Sequence, residues 1–120
     1  MIHNLSILVV EDDAAQRRQM VRILRVDNRA VSEASTGEEA IVALKERGID
    51  LVLTDRRMPG IGGDSLFAHI RGNYPWIQVA MVTAYPDGAE ELKPDGILEK
   101  PFKKEQLIEL VRNLTEGRND

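Results

Sequence analysis

Leu51-Val52-Leu53-Thr54-Asp55 is an apolar run that ends on a carboxylate, and the chain breaks soon after it at Pro59, Gly60, Gly62 and Gly63. Such a run reads as an interior strand, and an acid at its end carries a desolvation cost unless something compensates it. Three other apolar runs also lead into polar groups: Ser6–Val10 into Glu11-Asp12, Gln78–Val82 into Thr83, and Gly96–Leu98 towards Lys100. Acids, a hydroxyl and an amine at the ends of separate strands point to one site gathered at one edge of a sheet.

The stretches between these strands read as helices. Ala14 to Val26 places Met20, Ile23 and Leu24 on one side, and Arg17, Arg18, Arg22 and Arg25 read as its solvated surface, with Asn28 as its end. Ala30 to Ala34 is a weak second strand. Thr36-Gly37-Glu38-Glu39 has the pattern of a capping box, a hydroxyl followed three residues later by a carboxylate. The helix it opens should run to about Arg47 with Ile41 and Leu44 inward and Gly48 as its stop. A third helix, Asp64 to Gly72, follows a flexible glycine turn. His69 on it reads as a surface or boundary residue.

Trp76 to Val82 reads as the fourth strand, with Trp76 packed at its start. From Pro86 to Gly96 the pattern weakens. Ala89 to Leu92 suffices for a turn or two of helix before Pro94 and Gly96. Ile97 to Glu99 makes a short fifth strand. Lys103 to Leu114 makes the last helix, with Leu107, Leu110, Val111 and Leu114 at i, i+3, i+4 and i+7. The tail from Gly117 to Asp120 reads as frayed. Strands alternating with helices imply a doubly wound α/β fold, a parallel sheet with helices on both faces. Ligands bind such sheets beyond the carboxyl ends of the strands, where the winding reverses. That is the edge carrying Glu11, Asp12, Asp55, Thr83 and Lys100.

The chain has 120 residues, the length of one domain, and a formal charge of −4, which disfavours nonspecific nucleic-acid binding. It contains no cysteine, so disulfides, thiolate metal sites and cysteine nucleophiles are excluded. No apolar run approaches the ~20 residues of a membrane span, and the first residues have neither the basic start nor the apolar core of a signal peptide. A cytoplasmic location is the resulting expectation.

Three converging carboxylates repel one another and need compensation to stay ionised together. Lys100 and a hard divalent ion would supply it, and Mg²⁺ suits an oxygen-only site that keeps several waters. A carboxylate flanked by such an ion, a lysine and a hydroxyl is equipped to receive a phosphoryl group. Taken singly, each residue has an ordinary structural reading: Asp12 or Asp13 as a helix cap, Thr83 as a strand end, Lys100-Pro101 as a turn.

Four segments in order, Ile7–Asp13, Leu53–Gly60, Val82–Tyr85 and Glu99–Phe102, make the chain resemble the receiver domain of two-component response regulators, the CheY-like fold. The resemblance spans nearly the whole chain. It implies a five-stranded sheet in the order 2-1-3-4-5 and one receiver domain over residues 1–120. Asp55 would accept phosphate from a histidine kinase or phosphotransfer protein. Thr83 would be the switch hydroxyl and Lys100 the phosphate-contacting amine. Asp12 would bind Mg²⁺ directly, Glu11 directly or through water, and the Arg57 backbone carbonyl would add a ligand. Asp13 is better kept as the cap. A cis Lys100–Pro101 peptide is implied as well. The output domain or partner stays unspecified, with no direct nucleic-acid or membrane binding and no enzyme activity beyond the domain's own phosphorylation and dephosphorylation.

The sequence departs from the family twice. Ile97 stands where an aromatic residue is common on the fifth strand, and the segment between Thr83 and Lys100 is several residues short, so a short or irregular fourth helix is expected. That segment should be held by few buried contacts, and phosphorylation should act by ordering or shifting it. Arg57 and Tyr85, each two residues beyond a key group, are expected to cover the acceptor. A phosphate-independent interaction module on the same fold would gain from the shortened segment, yet every phosphorylation residue is present. A phosphatase resembling the haloacid dehalogenases needs an acid where Arg57 stands. A dinucleotide site is weaker still, because Gly60-Ile61-Gly62-Gly63 follows the wrong strand and lacks the third glycine at the right offset.

Overall fold

The computed structural model describes residues 5–27 and 30–116. Its strands are β1 (Ser6–Val10), β2 (Ala30–Ala34), β3 (Leu51–Thr54), β4 (Gln78–Thr83) and β5 (Gly96–Glu99). The helices are α1 (Ala14–Arg25), α2 (Gly37–Glu46), α3 (Gly63–Asn73) and α4 (Lys104–Glu116), with a single 3-10 turn at Ala89–Leu92. All strand pairs are parallel, in the order β2-β1-β3-β4-β5. The short segment before β5 thus yields a 3-10 turn in place of a full helix, as its proline and glycine content suggests.

Side chains alternate across the sheet into two cores. Leu8, Val10, Val52, Val79 and Met81 pack with Leu44 of α2 and Leu66, Phe67 and Ile70 of α3. Ile7, Val9, Leu51, Leu53 and Val82 pack with Met20 and Leu24 of α1 and Leu107 and Val111 of α4. β1 and β3 are buried on both faces, which explains their unbroken apolar runs.

Several local readings change. Trp76 lies outside β4 and is 67% exposed, its ring nearly perpendicular to that of Tyr74 and 5.8 Å from it between centroids. The chain first turns, with the Ile77 amide donating to the Tyr74 carbonyl, and Ile77 takes the core position instead. Gly48 is not a left-handed cap, since α2 ends when Arg47 turns extended (φ −130°, ψ 148°). The glycine turn before α3 is packed rather than loose. A β-carbon at Gly63 would stand 2.0 Å from the Asp55 carbonyl oxygen, and Gly60 adopts φ +75°. His69 is half-buried, as a boundary residue should be. Three readings lie outside the described residues: Asn28 as the end of α1, the features of Met1–Asn4, and the tail from Gly117.

Candidate functional site

The backbone places the polar groups before any side chain is considered. Sheet-like bonding continues one residue past three strands: the Glu11 amide donates to the Ala34 carbonyl (3.1 Å), Asp55 to Val10 (3.2 Å) and Lys100 to Thr83 (2.8 Å). Glu11, Asp55, Thr83 and Lys100 are therefore held in a row across the carboxyl edge, where β1 and β3 lie side by side and the winding reverses. The Lys100–Pro101 bond is cis, as the resemblance implied.

Lys100 Nζ lies between two acids, donating to Asp55 Oδ2 at 2.8 Å and to Glu11 Oε1. Asp55 Oδ1 accepts the Arg56 amide at 2.7 Å and lies 3.5 Å from the Arg57 amide. Glu11 Oε2 accepts the Asp13 amide at 3.1 Å, while Asp13 Oδ1 caps α1 by accepting the Gln16 amide. Asp12 is exposed, and its carboxylate, with those of Glu11 and Asp55, offers oxygens that all lie within 4.8 Å of one another.

Electrostatics separate the two acids beside the lysine. Burial alone would raise the Asp55 carboxyl, but Lys100, the Thr83 hydroxyl and the Arg56 amide together hold it below the ordinary aspartate value. For Glu11 burial prevails over Lys100 and the Asp13 amide, with the Asp55 charge adding to it, and the carboxyl is pushed up. Burial disfavours the Lys100 cation, but Asp55 and Glu11 more than offset it and its pKa rises. Thr83 is fully buried, and its Oγ1 accepts the Tyr85 amide at 3.0 Å. The Arg57 guanidinium lies 3.7 Å from the centroid of the Tyr85 ring, so the two bulky residues meet.

A family model for the response regulator receiver domain matches residues 7–112. The chain belongs to this family. The sensor kinase CckA of Brucella abortus is 35% identical over 118 residues, spanning 92% of this chain and 12% of that protein. The response regulator protein FleR of Pseudomonas aeruginosa is 34% identical over 111 residues, 88% of this chain and 24% of that protein. The chain therefore spans only a minor part of these relatives. Among solved structures, the response regulator TrrA of Thermotoga maritima, crystallised with Mg²⁺ and beryllofluoride, superposes with a TM-score of 0.83 at 30% identity. That match covers 92% of this chain and 98% of the other.

Two features set this receiver domain apart from its sequence-based reading. The segment after Thr83 is anchored better than its polar composition suggests: Ala89 is fully buried and Leu92 packs against the core of α2 and α3. Sequence reasoning also passed over Arg56, the residue after Asp55. Its Nε and Nη2 donate to Asp64 Oδ1 (2.9 Å) and Oδ2 (2.8 Å), and its Nη1 to the Tyr85 (3.0 Å) and Asp87 (2.8 Å) carbonyls. No local pattern announces these bonds, because two acceptors are backbone carbonyls about thirty residues away.

Proposed function

We propose that Asp55 is the phosphoacceptor of this receiver domain. One observation carries the reading: a carboxylate at the reversal point of the sheet, with Lys100 Nζ 2.8 Å away and two more acids offering oxygens within 4.8 Å. An Asp55 oxygen attacks the phosphorus of a phosphohistidine on a histidine kinase or phosphotransfer protein. The P–O bond forms, the P–N bond breaks, and the departing imidazole takes a proton from water. Lys100 neutralises charge on the transferring oxygens, and Thr83 donates to one of them.

The donor set fits Mg²⁺. Three carboxylates offer oxygens within 4.8 Å of one another, Lys100 pairs with two of them, and all the donors are oxygens, as a hard cation requires. Asp12, Asp55 and the Arg57 carbonyl would hold the ion, with Glu11 directly or through water; when bound it supplies positive charge beside the transferring phosphoryl oxygens. The domain's only chemistry is then on itself, and it works as a signalling element rather than an enzyme acting on other substrates. Family membership favours phosphate-dependent signalling over a phosphate-independent module. Among the described residues no helix is long and apolar enough to cross a membrane. A cytoplasmic setting follows from the kinase partner, and the absence of nucleic-acid binding by this stretch rests on its net charge of −4.

The test is phosphorylation by a small-molecule donor such as acetyl phosphate with Mg²⁺, read by mass. One phosphoryl group should appear and be lost under mild alkali. Incorporation that persists in Asp55→Asn would sink the assignment.

A further inference from the structure

Tyr85 is held on three sides. Its amide donates to Thr83 Oγ1 at 3.0 Å, its carbonyl accepts Arg56 Nη1 at 3.0 Å, and its ring lies under the Arg57 guanidinium at 3.7 Å. Arg56 reaches further. Its backbone amide bonds Asp55 Oδ1 at 2.7 Å, its carbonyl accepts the Gly63 amide at 2.8 Å, and its guanidinium joins Asp64 of α3 to the Tyr85 and Asp87 carbonyls. Asp64 raises the affinity of that guanidinium for its proton and fixes the fork at one end.

The far end of the segment is fastened separately. Asp95 Oδ2 accepts Arg71 Nη2 at 2.7 Å and the Val79 amide at 2.8 Å, and the Asp95 amide returns to the Val79 carbonyl at 2.8 Å. Between the two fastenings the chain reverses at Gly88 (φ +80°) and Lys93 (φ +58°). Residues 85–95 thus form a closed loop with one end pinned to β4 and α3, and the other clasped by the residue beside the acceptor. Ile97 on β5, where the family commonly carries an aromatic ring, is aliphatic and half-buried.

We propose that Arg56 is the positioning residue that carries the change at the phosphorylated site into residues 87–92, in this chain's substitute for a ring on β5. The inference rests on the reading of Asp55 as the phosphoacceptor. A hydroxyl has one proton to donate and two lone pairs, so Thr83 can turn its proton to a phosphoryl oxygen and still accept the Tyr85 amide. Drawing Thr83 inward pulls Tyr85 with it. Because the Tyr85 and Asp87 carbonyls share one guanidinium nitrogen, Asp87 must follow, or that nitrogen must release one of them. With Arg56 gone, motion of Tyr85 is absorbed locally, and the 3-10 turn beyond Asp87 does not respond. A merely structural staple behaves differently: its loss loosens the loop in both states and leaves the response to phosphorylation intact.

The experiment is amide hydrogen exchange on the full chain with Mg²⁺, with and without beryllofluoride as the acyl-phosphate mimic, for wild type, Arg56→Gln and Arg56→Lys. In wild type the mimic should alter exchange across 84–92 by about fivefold or more, the scale of an ordinary allosteric coupling. In Arg56→Gln the change should persist at Ala84 and Tyr85 and vanish from Asp87 to Leu92, with beryllofluoride still bound. Arg56→Lys keeps the cation beside Asp64, but an ammonium has three donors and no planar fork and cannot meet all four acceptor oxygens, so it should behave like Arg56→Gln. A wild-type response at 87–92 in Arg56→Gln, or its full rescue by lysine, overturns the inference. If wild type binds beryllofluoride and its loop stays silent, the inference alone falls. If wild type does not bind it, the acceptor reading falls too.

Discussion

At Asp12 the carboxylate is exposed while its two partners are not, so its role can be tested without disturbing the fold. Glu11 and Asp55 already share Lys100, and removing either leaves the other's charge partner in a changed environment. Asp12→Ala should cost no more than about 0.5 kcal/mol of stability, as for an ordinary surface change. It should weaken Mg²⁺ binding by about tenfold or more, as loss of a group at a metal site does. Titration calorimetry on folded variant protein decides this; unchanged affinity would remove Asp12 from the proposed metal site. The paired Arg57 and Tyr85 bear on how long a phosphoryl group on Asp55 would last. The Arg57 guanidinium meets the Tyr85 ring 3.7 Å from its centroid, and if the pair covers the proposed acceptor, replacing both with alanine should speed loss of the phosphoryl group several-fold. An unchanged or slower dephosphorylation rate would count against a cover.

Among the elements, α2 shows how local signals are written and how they are met. Thr36 Oγ1 accepts the Glu39 amide at 3.0 Å as the capping pattern requires, but Glu39 reaches past the cap to Ser35, accepting from its amide at 2.8 Å and its hydroxyl at 2.9 Å. The Ser35 amide, then its hydroxyl, hold the Glu39 carboxyl below its ordinary value. Because the folded value is the lower one, the stabilisation is fully present above the unfolded glutamate range and is lost as pH falls through the folded value. The stability difference between wild type and Glu39→Gln should therefore shrink on acidification; a difference that stays constant with pH would show that the charge is immaterial. The start of α2 was legible because its cap lies within four residues. So were β1 and β3, whose unbroken apolar runs follow from burial on both faces. In the segment 84–95 only the short helical turn at Ala89–Leu92 was legible. Its anchors, Arg56 to the Tyr85 and Asp87 carbonyls and Asp95 to Val79, join residues far apart in sequence and use backbone partners that no residue pattern marks. Exposed Trp76 was misplaced for a related reason: hydrophobicity suggested packing, and a turn set its direction.

Over the whole molecule, the sheet is the common wall of two cores that are otherwise separate. Leu66 on α3 belongs to one and Leu107 on α4 to the other, and both are fully buried. The candidate site depends on both, since its groups hang from strand ends whose alternate side chains point into opposite cores. Its order along the chain could be read from sequence because a parallel sheet converts successive strand ends into neighbours. The distances could not, because they depend on how the two layers settle against the sheet. If the sheet couples the layers, loss of packing on either side should weaken the whole domain at once. Leu66→Ala and Leu107→Ala should each cost about 2–5 kcal/mol, the range for a buried leucine cut to alanine. Each variant should still unfold in one transition, with far-ultraviolet dichroism and the exchange of amides on the opposite face reporting the same midpoint. Two separated transitions, with the α1–α4 layer outlasting the α2–α3 layer or the reverse, would mean that the layers fold independently. The geometry around Asp55 would then be guaranteed by only one of them.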